Sequence, residues 1–286
     1  MSANPNMLTQ TAIDASEEPA RRAWLPLLSR FSISPRTVRA VQYAMFPVGL
    51  LLVWWWATSA EWLPSNVLPA PDAVASAFVE MIRNGDLAEH LGISLWRVVK
   101  GALFGVSLGL ALGMALGFSP AFDSWIGPTF RIVVQIPSIA LIPLLMMVLG
   151  IDDALKFFIM VKACVIPLAL ISSEGIKNIP RSYLEVCRVM KLRRSTVYRK
   201  VIFPAALPSI FTGLRQGLAH VWVALVAVEI LASADGIGYL ITWSRLIFQI
   251  DVVLACIAVV GVIGFAIDTA TRRLELRLLR WRGEAA

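Results

Sequence analysis

Apolar residues along this chain gather into long, nearly unbroken runs separated by shorter polar stretches. Several runs reach the roughly 18 residues that a helix needs to span a bilayer. A helix is the expected form for each, because lipid offers the backbone no hydrogen-bond partner. The pattern predicts six spans, at about 41–58, 98–118, 131–149, 156–171, 210–231 and 252–270, and so an all-α integral membrane protein. The first ends in Trp54, Trp55 and Trp56, as an interfacial aromatic belt would. The polar stretch 61–94 carries Glu61, Asp72, Glu80, Asp86 and Glu89 against Arg83 alone, which suits the outer side and puts the N-terminus inside. Within it Val74, Ala77, Phe78, Met81 and Ile82 recur at helical spacing behind Asp72, a candidate N-cap. They predict an amphipathic helix on the outer surface or against the bundle.

The spans differ in what interrupts them. Gly101, Gly105, Gly109, Gly113 and Gly117 recur every fourth residue in the second. Four residues advance a helix by about 400°, so this stripe drifts only about 40° per step and forms a smooth seam for another helix. The third span holds Gln135, Pro137, Ser138 and Pro143, and the fourth holds Lys162 and Pro167. Prolines at membrane depth break the helical ladder and survive where protein or a wet path covers the gap.

Between spans four and five lies a basic island, 174–208, with Lys177, Arg181, Arg188, Lys191, Arg193, Arg194, Arg199 and Lys200 against Glu174 and Glu185. It also carries Tyr183, Leu184, Val186, Cys187, Val189, Met190 and Leu192, too many apolar residues for a solvated linker. Two short helices joined near 192–195 are expected, with Ser195 capping the second and Pro204 ending it. Their apolar face would dock on something outside the membrane.

Charge and composition complete this picture. The chain has 286 residues, 58% of them hydrophobic, and a net charge of +7. The positive charge clusters beside apolar runs, as the positive-inside rule requires, and argues for lipid headgroups and against nucleic acid. With six spans both termini and the island are cytoplasmic. The expected organisation is a cytoplasmic arm, 1–40, with a surface-lying piece near 24–31; a six-helix membrane bundle, 41–271; and a basic tail, 272–286. The first apolar run starts too late and is too long for a signal peptide, so it reads as an uncleaved anchor. Cys164, Cys187 and Cys256 lie far apart and suggest neither a metal site nor disulfides. There is no Gly-Lys dipeptide, hence no phosphate-cradling P-loop, and no nucleophile–base constellation. The chain is not expected to be an enzyme.

The island and the Ile202–Pro208 stretch "IFPAALP" resemble the coupling loop of permease subunits of bacterial ATP-binding cassette (ABC) importers. That family's Glu-Ala-Ala, three residues, Gly pattern falls here on Glu185, Val186, Cys187, Arg188, Val189, Met190 and Lys191. "LPAPDAV" (68–74), "IPSIALIPLLMMVLGI" (136–151), "PSIFTGLRQGLAHVWVALVAVEILAS" (208–233) and "GIGYL" (236–240) are similar to the nitrate/sulfonate/taurine/bicarbonate branch. The resemblance covers about residues 45–282 and implies a six-helix, MetI-like type I importer permease in the bacterial inner membrane. It implies as partners an ABC ATPase subunit, a periplasmic solute-binding protein or lipoprotein, and a second permease copy. No cofactor is expected on this chain; ATP and Mg²⁺ belong to the ATPase.

The resemblance further implies an ATPase-coupling set of Glu185, Val186, Cys187, Arg188, Lys191 and Leu192, with Glu185 docking through a charge-assisted hydrogen bond. Lys191 replaces the family's glycine; if φ is positive there, it costs on the order of 1 kcal/mol. Gln135, Ser138 and Trp222 fall on the spans that line the path in such permeases, or serve interhelical packing. Glu229 is an acid at membrane depth, costly by about 2.5–3.5 kcal/mol, so it faces a partner or a wet cavity. It reads either as a gate or as an ion pair with Lys162, Arg131 or Arg215, or a hydrogen bond to loop backbone. Those three cations could also assist an anion's passage. His220 reads as a packed or hydrogen-bonded histidine ahead of a proton relay. The expected function is ATP-driven import of a small anion by alternating access, such as a sulfonate, taurine, nitrate or an aromatic acid. Bicarbonate or a vitamin precursor is an alternative solute, and a gradient-driven transporter or channel an alternative mechanism.

Overall fold

The computed structural model describes residues 35–279 other than 61, 63, 65 and 66, and only the backbone for 35–44. Residues 1–34 of the expected arm 1–40, with its surface-lying piece, and the last residues of the tail lie outside them. The chain divides into two units, 1–62 and 63–286. The first contributes helix α1, Pro35–Ser59. Near its end Thr58 Oγ1 donates to the carbonyls of Trp54 and Trp55, and Trp56 meets Trp62 edge-on at 5.0 Å.

The second unit is a helical bundle: α2 (Pro71–Asn84), α3 (Asp86–Phe118), α4 (Pro120–Gln135), α5 (Ile142–Leu149), α6 (Asp153–Lys177), α7 (Arg181–Val189), α8 (Arg194–Val197), α9 (Phe203–Leu231), α10 (Ile237–Leu246) and α11 (Ile250–Leu278). Among the described residues four helical segments are long and apolar enough to cross a membrane: α3, α6, Arg194–Leu231 and α11. A fifth crossing results if the bent pair Pro120–Gln135 and Ile139–Leu149 counts as one. The expected first span, 41–58, falls within α1.

Helix α6 is the centre. Half of its most apolar window is buried, against 11% of that of α11. The glycine stripe of α3 explains one contact. A Cβ at Gly101 would sit 2.8 Å from the Met160 Cβ, and one at Gly113 would sit 2.9 Å from both Cα and carbonyl oxygen of Ala169. Side chains can yield, but that backbone cannot, so a methyl at Gly113 forces the helices apart. On the other flank Gly213 and Gly217 of α9 meet Leu168 and the Cys164 carbonyl in the same way. Small residues let backbones approach closely, the packing that favours helix association in lipid.

Four sequence expectations change. The third span is not a continuous helix over 131–149: helix α4 begins earlier, and the chain bends by 82° across Ile136–Ser138. Pro137 supplies no N–H and holds Ile136 extended, at φ −82° and ψ 114°. Asp72 does not cap α2. Ala70 is the N-cap, Pro71 opens the helix, and Asp72 lies in the first turn. Of that helix's apolar face Ala77 and Met81 are buried, while Phe78 and Ile82 stay exposed. Helix α3 also begins within the stretch expected to be outer loop, which makes Ser94 and Arg97 helical.

The fourth change concerns the second island helix. Ser195 is not its cap, because the amides of Thr196 and Val197 both bond to the carbonyl of Arg193. Pro204 does not end it either. The turn Tyr198–Ile202 is a π-helix, in which the Phe203 amide reaches back to the Tyr198 carbonyl. That widened turn makes room for the proline ring, so the helix runs on into α9.

Candidate functional site

The chemistry of the bundle sits in three places: a buried charge cluster at one end, a cleft at the α4–α5 break, and the exposed α7 loop. The cluster begins from the position of Glu229, in the last turns of α9 and 1% exposed. Both its carboxylate oxygens accept from Ser94 Oγ at 2.9 Å, and one accepts from the Gly238 amide at 3.1 Å. Arg97 Nη1 donates to Oε1 at 3.1 Å. The guanidinium also reaches Asp153 and Asp235, each at 2.7 Å from Nη2. Lys156, itself 4% exposed, lies 3.7 Å from Asp153 and 3.9 Å from Asp235. The cluster therefore ties α3, α6, α9 and the loop into α10 together.

Two glycines, one before α10 and one in its first turn, are required by this closeness. Gly236 has φ +95°, and a Cβ there would overlap the Glu229 carboxylate. A Cβ on Gly238 would stand 2.7 Å from the Val226 carbonyl. Two further amides are satisfied by side chains: Ile237 donates to Ser94 Oγ at 2.9 Å and Gly236 to His90 Nδ1 at 3.1 Å. Asp235, in the loop, feels opposing influences. Burial pushes its carboxyl up, but hydrogen bonds and charge from Arg97, with Ser233 and Lys156, hold it below the ordinary aspartate value.

Glu229 is thus paired, though with none of the three cations expected for it. Arg131 lies 3.7 Å from Asp123. Arg215 lies 3.8 Å from Asp268 and 3.9 Å from Glu275, on α11. A backbone hydrogen bond is present, but it comes from Gly238 in the first turn of α10 and not from the loop. Arg97 was missed because it sits just before the predicted span. A buried acid needs a partner at its own depth, and matching the end of one span with the start of another would have found it.

At the break, Lys162 Nζ donates to the freed carbonyl of Ile136 at 2.8 Å and to Ser138 Oγ at 3.3 Å. A cleft of about 410 Å³ opens between the break, α6 and α9, with Ser138, Gln216 and His220 among its lining. His220 Nδ1 donates to the Gln216 carbonyl at 2.8 Å, since a carbonyl only accepts. Of the expected path residues, Ser138 lines this cleft. Gln135 is exposed at the last position of α4. Trp222 is buried, and its indole donates to the Val260 carbonyl at 3.1 Å.

In the loop, Cys187 is buried and Leu184 half-buried, while Tyr183, Val186, Val189 and Met190 are exposed. Glu185 and Arg188 are exposed too, and neither makes a side-chain bond among the described residues. Lys191 adopts φ 52°. The Leu192 amide bonds to the Cys187 carbonyl at 3.1 Å and the Lys191 amide to that of Arg188 at 3.0 Å. This is a Schellman ending with lysine where glycine is usual.

Membrane-length helices around one central helix, with an exposed helical loop in a basic stretch, define a helical membrane protein. The model of the family of binding-protein-dependent transport system inner membrane components matches residues 105–280. A protein named as an aliphatic sulfonates transport permease of Escherichia coli K12 is 37% identical over 82% of this chain and 89% of its own. The taurine transport system permease of the same organism is 31% identical, covering 82% and 87%. The nitrate import permease of Synechocystis is 32% identical, covering 86% and 90%. Structurally, an inward-facing MetNI methionine ABC transporter chain shares the fold, with TM-score 0.54 and 19% identity over 64% of this chain and 91% of that one. The chain belongs to this family and is the permease subunit of an ABC importer, a transport subunit whose ATP hydrolysis takes place in a separate chain.

Proposed function

We propose that this permease imports a small organic or inorganic anion of the sulfonate, taurine, nitrate or aromatic-acid type, handed over by a periplasmic binding protein. Two copies would form the pathway, each crossing the inner membrane six times with α1 as the first crossing and both termini cytoplasmic. The solute class rests on the sulfonate, taurine and nitrate names of its relatives. In this reading the end bearing Glu229 faces outward and the α7 loop faces the cytoplasm. Glu229 then acts as a structural lock, since every polar atom of its carboxylate is engaged. Ser138 belongs to the path, while Arg215 and Trp222 brace α9 against α11.

One observation carries the coupling role. Helix α7 presents Tyr183, Val186, Val189 and Met190 to the outside, although folding normally covers such side chains. Beside them Glu185 offers a carboxylate free for a charge-assisted bond. An ATPase groove would cover the apolar residues, with Arg188, Lys191 and Leu192 at its edge, and Cys187 anchors the helix from behind.

The test is uptake and ATP hydrolysis in proteoliposomes holding this chain with its cognate ATPase and binding protein. Taurine, alkanesulfonates, nitrate, bicarbonate and aromatic carboxylates form the solute panel. The expected result is ATP-dependent uptake of one anion class, abolished by Glu185→Arg along with ATPase co-purification. Normal uptake in Glu185→Arg would refute the docking role.

A further inference from the structure

Arg97, Lys156 and Arg215 each have a carboxylate at ion-pair distance. Lys162 does not, among the described residues, although it lies in the middle of membrane-length α6. Its contacts are neutral: the Ile136 carbonyl and the Ser138 hydroxyl. An ammonium has three donors, so these two acceptors leave one unused. A cation at that depth is costly unless it is paired or lines a wet cavity, and it then marks an ion or substrate route.

A cavity adjoins it: Lys162 is not itself part of the wall, but Ala163 and Ile166, one and four residues further along α6, are. Ile136 and Ser138, which hold the ammonium, are themselves walls of the 410 Å³ cleft. The volume falls in the range of small-ligand sites, roughly 300–1,000 Å³, which are mostly apolar with a few placed polar groups. Here the apolar walls include Ile139, Pro167 and Val223, and the polar groups are Ser138, Gln216 and His220. The 82° break is what creates the opening, and irregular backbone at membrane depth is tolerated where it lines such a cavity.

We propose that this cleft is the membrane-depth subsite for the transported anion, with Lys162 as its countercharge and Ser138 and Gln216 as neutral hydrogen-bond donors. This rests on the reading of the solute as an anion. Lys162 holds two tasks in one position: it satisfies the Ile136 carbonyl left without a helical partner at the break, and it presents positive charge to the passing solute. A sulfonate or nitrate would take up the remaining N–H while the apolar walls receive any organic tail.

The test uses Ile139→Cys as a reporter on the cleft wall, in the full complex with ATPase and binding protein. The cysteine is modified in parallel by an anionic reagent, sulfonatoethyl methanethiosulfonate, and by its trimethylammonium counterpart. Adding Lys162→Met is expected to lower the anionic-to-cationic rate ratio at least about fivefold, because one charge sets the local concentration of ions. Adding Lys162→Arg, which keeps the charge, is expected to preserve the ratio. A ratio unchanged by Lys162→Met overturns the subsite, and so does a ratio that falls equally in Lys162→Arg, which marks loss of the brace on Ile136. Wild-type uptake settles the premise separately: a complex that carries only uncharged or cationic solutes overturns the anion reading whatever the labelling shows.

Discussion

Arg97 and Glu229 stand 132 residues apart in sequence and meet at 3.1 Å between Nη1 and Oε1, both side chains almost wholly buried. Neither charge could be buried alone. The carboxylate is neutralised by the guanidinium and by donors from Ser94 and Gly238, and the guanidinium by three acids. The pair thereby fixes the relative depth of α3 and α9 at one end of the bundle.

Removing one partner leaves the other uncompensated, which costs about 3–5 kcal/mol for a buried pair. Arg97→Ala is expected to be the more damaging, because Glu229 then loses its cation while Arg97 in Glu229→Ala keeps Asp153 and Asp235. Thermal unfolding in detergent measures this. Equal losses in the two single variants, or none, would contradict the ordering.

The position of Asp235 predicts a pH signature. Its folded carboxyl is held below the ordinary aspartate value of about 3.9. Its stabilisation is therefore complete above that value and is lost as pH falls through the depressed folded one. The stability gap between wild type and Asp235→Asn should stay constant from neutral pH to about pH 5 and narrow only below about pH 4. A gap closing between pH 7 and pH 5 would show that another group controls it.

Lys191 at φ 52° predicts a gain on replacement. Lys191→Gly removes the Cβ penalty of the left-handed conformation, on the order of 1 kcal/mol, while keeping the Schellman bonds. Hydrogen exchange at the α7 C-terminus, including the Leu192 amide, should slow about fivefold. Unchanged exchange would mean that the lysine side chain offsets the strain by contacts of its own.

Much of this architecture was legible beforehand. Length and hydropathy alone mark α3, α6, α9 and α11, since a bilayer imposes one simple requirement on each. The every-fourth glycine of α3 announced its seam, because helical period turns spacing directly into a face. The apolar residues inside a basic loop announced the short helix α7, of which Tyr183, Val186 and Val189 are exposed, and the residue in the glycine position pointed to the strained turn at Lys191. Hydropathy could not reveal the 82° bend, because it averages over the window that Pro137 interrupts. Nor did it show helix α8 running on through Pro204, since a local rule ended the helix where a π turn carries it past.

The sequence by itself determined that α3, α6, α9 and α11 are long and apolar enough to cross a membrane, because that suitability is decided residue by residue along one helix. Only the tertiary structure decided which charges meet. Arg97 with Glu229, and Lys162 with Ile136 and Ser138, depend on how neighbouring helices are rotated and how deep each sits. Those quantities come from packing against α6, where two glycine seams set the approach, and no local pattern contains them.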